Sequence, residues 1–245
     1  MNTLRAFSTL APIDLKNIRR DSMLVWLPAI PLIPALLVRW GLPLLEPWLV
    51  ATYALTLEPY DALILSFFVA LTPSFAGIVT GFLLLDERDD RTLTALMVTP
   101  MSLSQYVAYR VTAPMVLGVV MTLVAIPIAG VARVPLPALL GVALLAALTA
   151  PIMALFLASF AENKVAGMAL MKLIGGLGVI PVAAYFVEVP WQLLAGVVPS
   201  YWPLKVLWLA SENGQNVWLF LAAGLLVNLA VLAALVKRFD SVSRQ

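Results

Sequence analysis

Apolar and polar positions alternate along this chain on a long scale: six oily runs, each long enough to cross a bilayer, are separated by short charged or aromatic connections. A spanning helix needs about 20 mostly apolar residues. Runs of that length lie at 22–45, 62–85, 104–130, 136–159, 165–187 and 216–236. No charge interrupts Ala62 to Leu85, Leu136 to Ala161 or Val217 to Val236. The first run is less regular, because Pro28, Pro31 and Pro34 fall inside it and Arg39 ends its cleanest part. Proline within a membrane helix suits a kinked segment whose neighbours resatisfy the freed carbonyls. The pattern predicts an all-α integral membrane protein with six transmembrane helices, residues 1–245 forming one transmembrane domain.

Composition sharpens that picture. The 245 residues are 62% hydrophobic and 11% charged, against about 45–50% and about 25% in soluble domains. Mean hydropathy is +1.00, so the lipid bilayer is the expected solvent for most of the surface. Cys and His are absent, which removes thiol nucleophiles, disulfides, Ser-His-Asp triads and the usual imidazole zinc sites. No catalytic residue and no metal site are expected. A net charge of +2, with the basic residues beside apolar runs instead of in an aromatic-interleaved patch, argues against nucleic acid. No short apolar stretch with a small-residue cleavage site follows Arg5, Lys16, Arg19 and Arg20, so no cleaved leader is expected.

Those basic residues set an orientation. With the N-terminus in the cytoplasm, the inner segments hold Arg5, Lys16, Arg19, Arg20, Arg88, Arg91, Arg110, Lys164, Lys172, Lys237, Arg238 and Arg244, leaving Arg39, Arg133 and Lys205 outside. The positive-inside rule therefore places both termini in the cytoplasm, as in a multi-pass protein of a prokaryotic inner membrane. The outer segments, 46–61 and 188–215, are rich in Trp, Tyr and Pro, which suit the headgroup layer. The second is apolar enough to enter the outer leaflet as a short helix or re-entrant turn. Residues 10–23 set Asp14, Lys16, Arg19, Arg20 and Asp21 around Leu10, Ile13, Leu15 and Ile18, the pattern of an interfacial helix feeding the first span.

One cytoplasmic connection stands out. The stretch LLLDERDDRTLTALMVTP, 83–100, stops an oily run with consecutive charges from Asp86 to Arg91 and then places Leu93, Leu96 and Met97 at helical spacing. Asp86, Glu87, Asp89 and Asp90 would sit at the helix N-terminus, where the macrodipole favours negative charge, and Pro100 would stop it. A helix resting on the inner leaflet is one reading of this segment. Its charges are mainly acidic, whereas inner-leaflet anchors are rich in Lys and Arg. That composition favours a groove in a cytoplasmic protein partner.

Glu87 to Ser102 resembles the connection between the second and third spans of ABC-2 type export permeases. Their pattern is an acidic residue, then Gly-Thr-Leu-Glu, Leu-Leu, Thr-Pro and Val-Ser. Thr92, Leu93, Leu96, Thr99 and Pro100 match it, whereas Arg91 stands at the usual Gly and Thr94 at the usual Glu. Ser159 to Lys164 is similar to the family's second cytoplasmic turn, and Pro199 to Leu204 to its Pro-x-x-x-Pro-Leu element. Within the family the chain looks closest to drug-export permeases, including those for fluoroquinolones.

The resemblance implies the type V ABC exporter fold, with an interfacial helix over 1–21, a coupling helix over 86–103 and a re-entrant segment over 188–215. It assigns Asp86, Glu87, Arg88, Asp89, Asp90, Arg91, Thr92, Leu93, Leu96, Met97, Thr99 and Pro100 to docking on a separate ABC ATPase subunit, and Glu162, Asn163 and Lys164 to the second cytoplasmic loop. This chain has no phosphate-binding loop, so ATP and Mg would be held by the partner, and no cofactor is expected here. A second permease subunit, identical or not, would complete the pathway for a drug, lipid or lipid-linked glycan.

Each polar group within a span needs its own account. Arg110 and Lys172 lie within about two turns of cytoplasmic ends and can snorkel, and Arg39 can reach the outer headgroups. Thr72, Ser74 and Thr80 could line a pathway, although hydroxyls in helices more often bond back to the preceding turn. Asn228 is a further candidate for the pathway, although it better suits an interhelical hydrogen bond, and Gly175, Gly176 and Gly178 suit close packing or bending. An intramembrane enzyme would need facing carboxylates or a nucleophile–base pair at depth, which the deep spans lack. A secondary transporter or channel, or a membrane assembly partner without transport of its own, is the remaining alternative.

Overall fold

A computed structural model of the chain describes residues 31–89, 103–212 and 214–243, with Pro12 and Lys16 in helical conformation. Among these residues there is no strand. The helices are α1 (Leu32–Tyr53), α2 (Asp61–Asp89), α3 (Leu103–Ala129), α4 (Leu136–Ala147), α5 (Thr149–Phe160), α6 (Lys164–Ala183), α7 (Tyr201–Ser211) and α8 (Val217–Ser243). Six described stretches are long and apolar enough to span: Leu32–Tyr53, Glu58–Glu87, Ala108–Ala129, Leu136–Phe160, Lys164–Phe186 and Val217–Val242. The protein is an all-α membrane protein. Its fourth span is α4 and α5 in succession, broken at Leu148, because Pro151 has no amide to offer the Ala147 carbonyl and the Leu148 amide bonds back three residues to Leu145 at 3.3 Å.

Three boundaries differ from the hydropathy reading. Span one runs to Tyr53 instead of ending near residue 45, so part of the expected outer connection, residues 46–53, is helix. Pro31 and Pro34 fall at the helix start, where amides lack partners in any case, and Pro43 and Pro47 are tolerated inside. Residues 22–30 lie outside the described residues. The last helix continues past residue 236 to Ser243, held by Phe239, which is buried, and by Arg238, whose guanidinium carbon lies 4.0 Å from the centre of the Phe160 ring. Finally, Asp86–Asp89 form the last turn of α2 and not the start of a new helix. Acidic residues at a helix C-terminus face the negative end of the macrodipole, so other contacts must hold them.

The bundle is organised around α2, which packs most extensively on α5 and next on α3. Glycines explain the first contact. A Cβ built on Gly77 would lie 2.5 Å from the Ala150 carbonyl oxygen, and one on Gly81 would lie 2.9 Å from Leu157 Cδ1 and 3.3 Å from Ala154 Cα. Gly77 and Gly81 are four residues apart, the small-xxx-small spacing that lets two membrane helices bring their backbones together. Lateral polar bonds tie α2 to other neighbours: the Thr72 and Thr122 hydroxyls meet at 2.9 Å, and the Trp208 indole donates to Ser66 Oγ at 2.5 Å.

Within 188–215, residues 188–191, 193, 194 and 197 are exposed, whereas the following helix enters the bundle. After a 3-10 turn at Trp191–Val197, α7 buries Tyr201, Leu204, Val206, Leu207 and Trp208. The Asn228 amide reaches the Pro199 carbonyl at 3.3 Å, about 16 Å along α8 from Val217 at helical rise. Lys205 is buried here, donating to Gln192 Oε1 at 2.5 Å while Gln192 donates to the Ala184 carbonyl at 2.8 Å. Its aliphatic neighbours gave no sequence sign of that polar core.

The α2–α5 contact should respond steeply to size. Gly77→Ala and Gly81→Ala should each lower thermal stability in detergent by an amount equivalent to about 1–3 kcal/mol, the cost of overpacking. Gly41→Ala, with nothing within 4 Å of the added carbon, should leave the melting temperature unchanged or slightly raised.

Candidate functional site

The two helices that flank the 86–103 connection are fastened together at its base. Tyr106 and Arg110 stand one turn apart on α3, four residues being the spacing that stacks side chains on one helix face. Both reach Glu87 in the last turn of α2. The Arg110 Nη2 donates to Glu87 Oε1, the Tyr106 hydroxyl donates to Oε2, and Arg110 Nε donates to the Tyr106 hydroxyl at 3.2 Å. The guanidinium carbon also lies 5.3 Å and 5.5 Å from the Tyr106 and Tyr109 ring centres. Arg110 is only 3% exposed. It therefore does not snorkel to the headgroups, as its nearness to the helix end suggested. Burial became tolerable because Glu87 supplies the opposite charge and two aromatic faces complete the shell.

The second loop joins the same base. Asn163 caps α6, its Oδ1 accepting from the Ala166 amide at 3.0 Å, and this positions Lys164 to donate to Asp86 Oδ2 at 3.0 Å. Glu162 lies in the same turn. Lys164 and Asp86 are each nearly half exposed, so their pair contributes little beyond registration. The acidic last turn of α2 thus meets a cation from each side. Asp90, Arg91, Thr92, Leu93, Leu96, Met97, Thr99 and Pro100 lie outside the described residues, as do the side chains of Arg88 and Asp89.

The candidate pathway residues are scattered. Thr72, Ser74 and Thr80 bond back to the carbonyls of Phe68, Ala70 and Ala76 at 2.9, 2.6 and 3.0 Å. Asn228 donates to the Gly224 carbonyl at 2.9 Å as well as to Pro199, and its Oδ1 is buried without a partner among the described residues. Thr72 borders a crevice of about 10 Å³, room for one water at most. Gly175, Gly176 and Gly178 meet nothing within 4 Å, so any close packing they permit is not against another described part of this chain. Lys172 is exposed. A larger cavity, about 380 Å³, opens at the opposite end of α2, lined by Arg39, Glu46, Glu58 and Asp61 among others.

The sequence matches the family described as fluoroquinolones export permease protein Rv2686c-like over residues 14–236, a stretch containing the first five spans, most of the sixth and the 86–103 connection. The chain belongs to this permease family. Two curated relatives, the fluoroquinolones export permease proteins MT2760 and Rv2686c from two strains of Mycobacterium tuberculosis, are each 34% identical to the permease over 238 residues, covering 96% of this chain and 94% of theirs. No solved structure matches it.

The permease's buried clamp was not legible in the sequence, where Glu87 reads as a docking residue and Arg110 as a snorkelling one. Breaking it should be costly, because removing one member strands the other in the bundle. Arg110→Ala should destabilise the permease by about 3–5 kcal/mol, read as a fall in melting temperature, with partial recovery in the swapped Glu87→Arg/Arg110→Glu double variant. Lys164→Ala should cost no more than about 1 kcal/mol.

Proposed function

We propose that the chain is the membrane-spanning subunit of an ATP-driven exporter, with both termini in the cytoplasm of a bacterial inner membrane. A separate ABC ATPase binds ATP and Mg, and its closure pushes on residues 86–103. The clamp carries this reading: Glu87, Tyr106 and Arg110 bolt both flanks of that connection together, so force applied to it is delivered to spans two and three as one unit. Lys164 on Asp86 extends the same grip to span five. Family membership supports the permease role, and the relatives' names support a fluoroquinolone-type drug as the cargo. Two permeases form the pathway, the second being a further copy of this chain or a related one. Spans one and five are the least buried of the six, and the bare Gly175–Gly178 face offers the second subunit close approach.

Docking is tested through its apolar ridge. Leu93→Asp with Leu96→Asp should reduce co-purification of the ATPase at least about tenfold and abolish export, while the variant permease still folds. Unaltered complex formation together with unaltered export would overturn the docking role. Because the natural chain contains no cysteine, Leu177→Cys is a clean probe of the second subunit. Oxidation of membranes carrying that variant should give a cross-linked dimer, whereas Leu226→Cys, exposed on α8, should remain monomeric.

A further inference from the structure

The cavity at the far end of α2 has a chemistry that the clamp and the docking connection leave unused. It is bounded by α1, the 3-10 turn before α2 and the end of α3, and it measures about 380 Å³, within the range of about 300–1,000 Å³ usual for small-molecule sites. Val38, Leu42, Ala129 and Val131 give it apolar walls, while Glu46, Glu58 and Asp61 bring three carboxylates and Arg39 one guanidinium to the same space. The cation is held at a definite place. Arg39 Nη1 donates to the Ile128 carbonyl at 3.2 Å, and Gly130, at φ +64°, turns the chain there. A Cβ at Gly130 would lie 3.1 Å from Arg39 Nη1. Arg39 is exposed at this end, and with one N–H on the Ile128 carbonyl its fork leaves further N–H groups for an anion. Glu46 is fixed from the facing side by the Leu57 amide at 3.5 Å.

Resting on the export reading, we propose that this vestibule binds the cargo at the outer mouth, and that it takes a zwitterionic amphiphile. An ammonium would face Glu46, Glu58 and Asp61, a carboxylate would face Arg39, and a flat apolar body would lie on Val38, Leu42 and Val131. The walls carry a net charge of minus two, three carboxylates against one guanidinium, so they hold a cation more strongly than an anion. A purely anionic or neutral amphiphile is the poorer ligand. The site lies within one chain and needs no residue from a second subunit.

The test uses the full-length chain in lipid nanodiscs with a quinolone that bears both a piperazine amine and a carboxylate. Glu46→Gln with Asp61→Asn should weaken its binding about tenfold, the loss of one charge-assisted contact, and should leave the amine-free analogue's affinity unchanged. Arg39→Gln should weaken the carboxylate-bearing quinolone and spare its ester. As a check independent of these variants' folding, the drug should slow maleimide labelling of Val131→Cys, a unique thiol in a chain without cysteine. Equal loss for the quinolone and its amine-free analogue, or labelling unchanged at saturating drug, would overturn the vestibule. If cells still export the drug in that case, the export reading stands without it. Absent export with protection of Val131→Cys intact would overturn the export reading and leave the vestibule in place.

Discussion

In hydrocarbon, an apolar side chain gains nothing by exchanging lipid for another helix, so a bundle is held by close contact and by polar bonds. The seam between α2 and α5 supplies the contact, because Gly77 and Gly81 let one backbone settle against Ala150 and Ala154 of the other. Polar bonds then radiate from α2: to α3 through Thr72 and Thr122, and to α7 through Ser66 and Trp208. Each needs α2 at a fixed height and rotation. A shift of one residue along that helix would turn its face by about 100° and break them together.

The charged clamp depends on the same register. A buried ion pair is weak evidence for net stability, since apolar residues of equal volume often serve as well. Its geometric demand is strict, however, because Arg110 can satisfy Glu87 only when α2 and α3 end level. Acidic residues in the last turn of α2 oppose its macrodipole. Arg110 and Lys164 offset that penalty from two other helices.

How much of this was readable in the chain follows from the range of each signal. The six spans were legible because twenty apolar residues in a row leave little choice. The break at Leu148 and the passage through Pro43 and Pro47 were not, since proline's effect depends on which neighbours resatisfy the carbonyls. Asp86–Asp89 looked like the start of a helix because local charge rules favour acids there, and tertiary pairing with Arg110 and Lys164 reversed that preference. Arg110 looked like a snorkelling residue because position along a span says nothing about which side faces the bundle. Arg39, Glu46, Glu58 and Asp61 gave no signal, being separated in sequence and gathered only when α1 folds against α3.

The clamp and the vestibule lie at opposite ends of one rod. Asp61 and Glu87 are separated by about 39 Å at helical rise, more than the hydrocarbon thickness of about 30 Å, and α2 remains helical throughout. At the Glu87 end α2 and α3 are bolted, whereas at the Asp61 end α1 meets α3 through Arg39 and the Ile128 carbonyl, with a cavity opening beside that contact. On the exporter reading, a push at the connection cannot pull the bolted ends apart, so it must tilt the pair as a unit. Over that length a tilt of about 5° moves the far end by about 3 Å. Such a displacement is comparable to a hydrogen bond, and since Arg39 is anchored on the Ile128 carbonyl of α3, it would act on the contact between α1 and the tilting pair. On the same exporter reading, a long α2 clamped at its Glu87 end would be a physical means of carrying a push at the connection to the mouth.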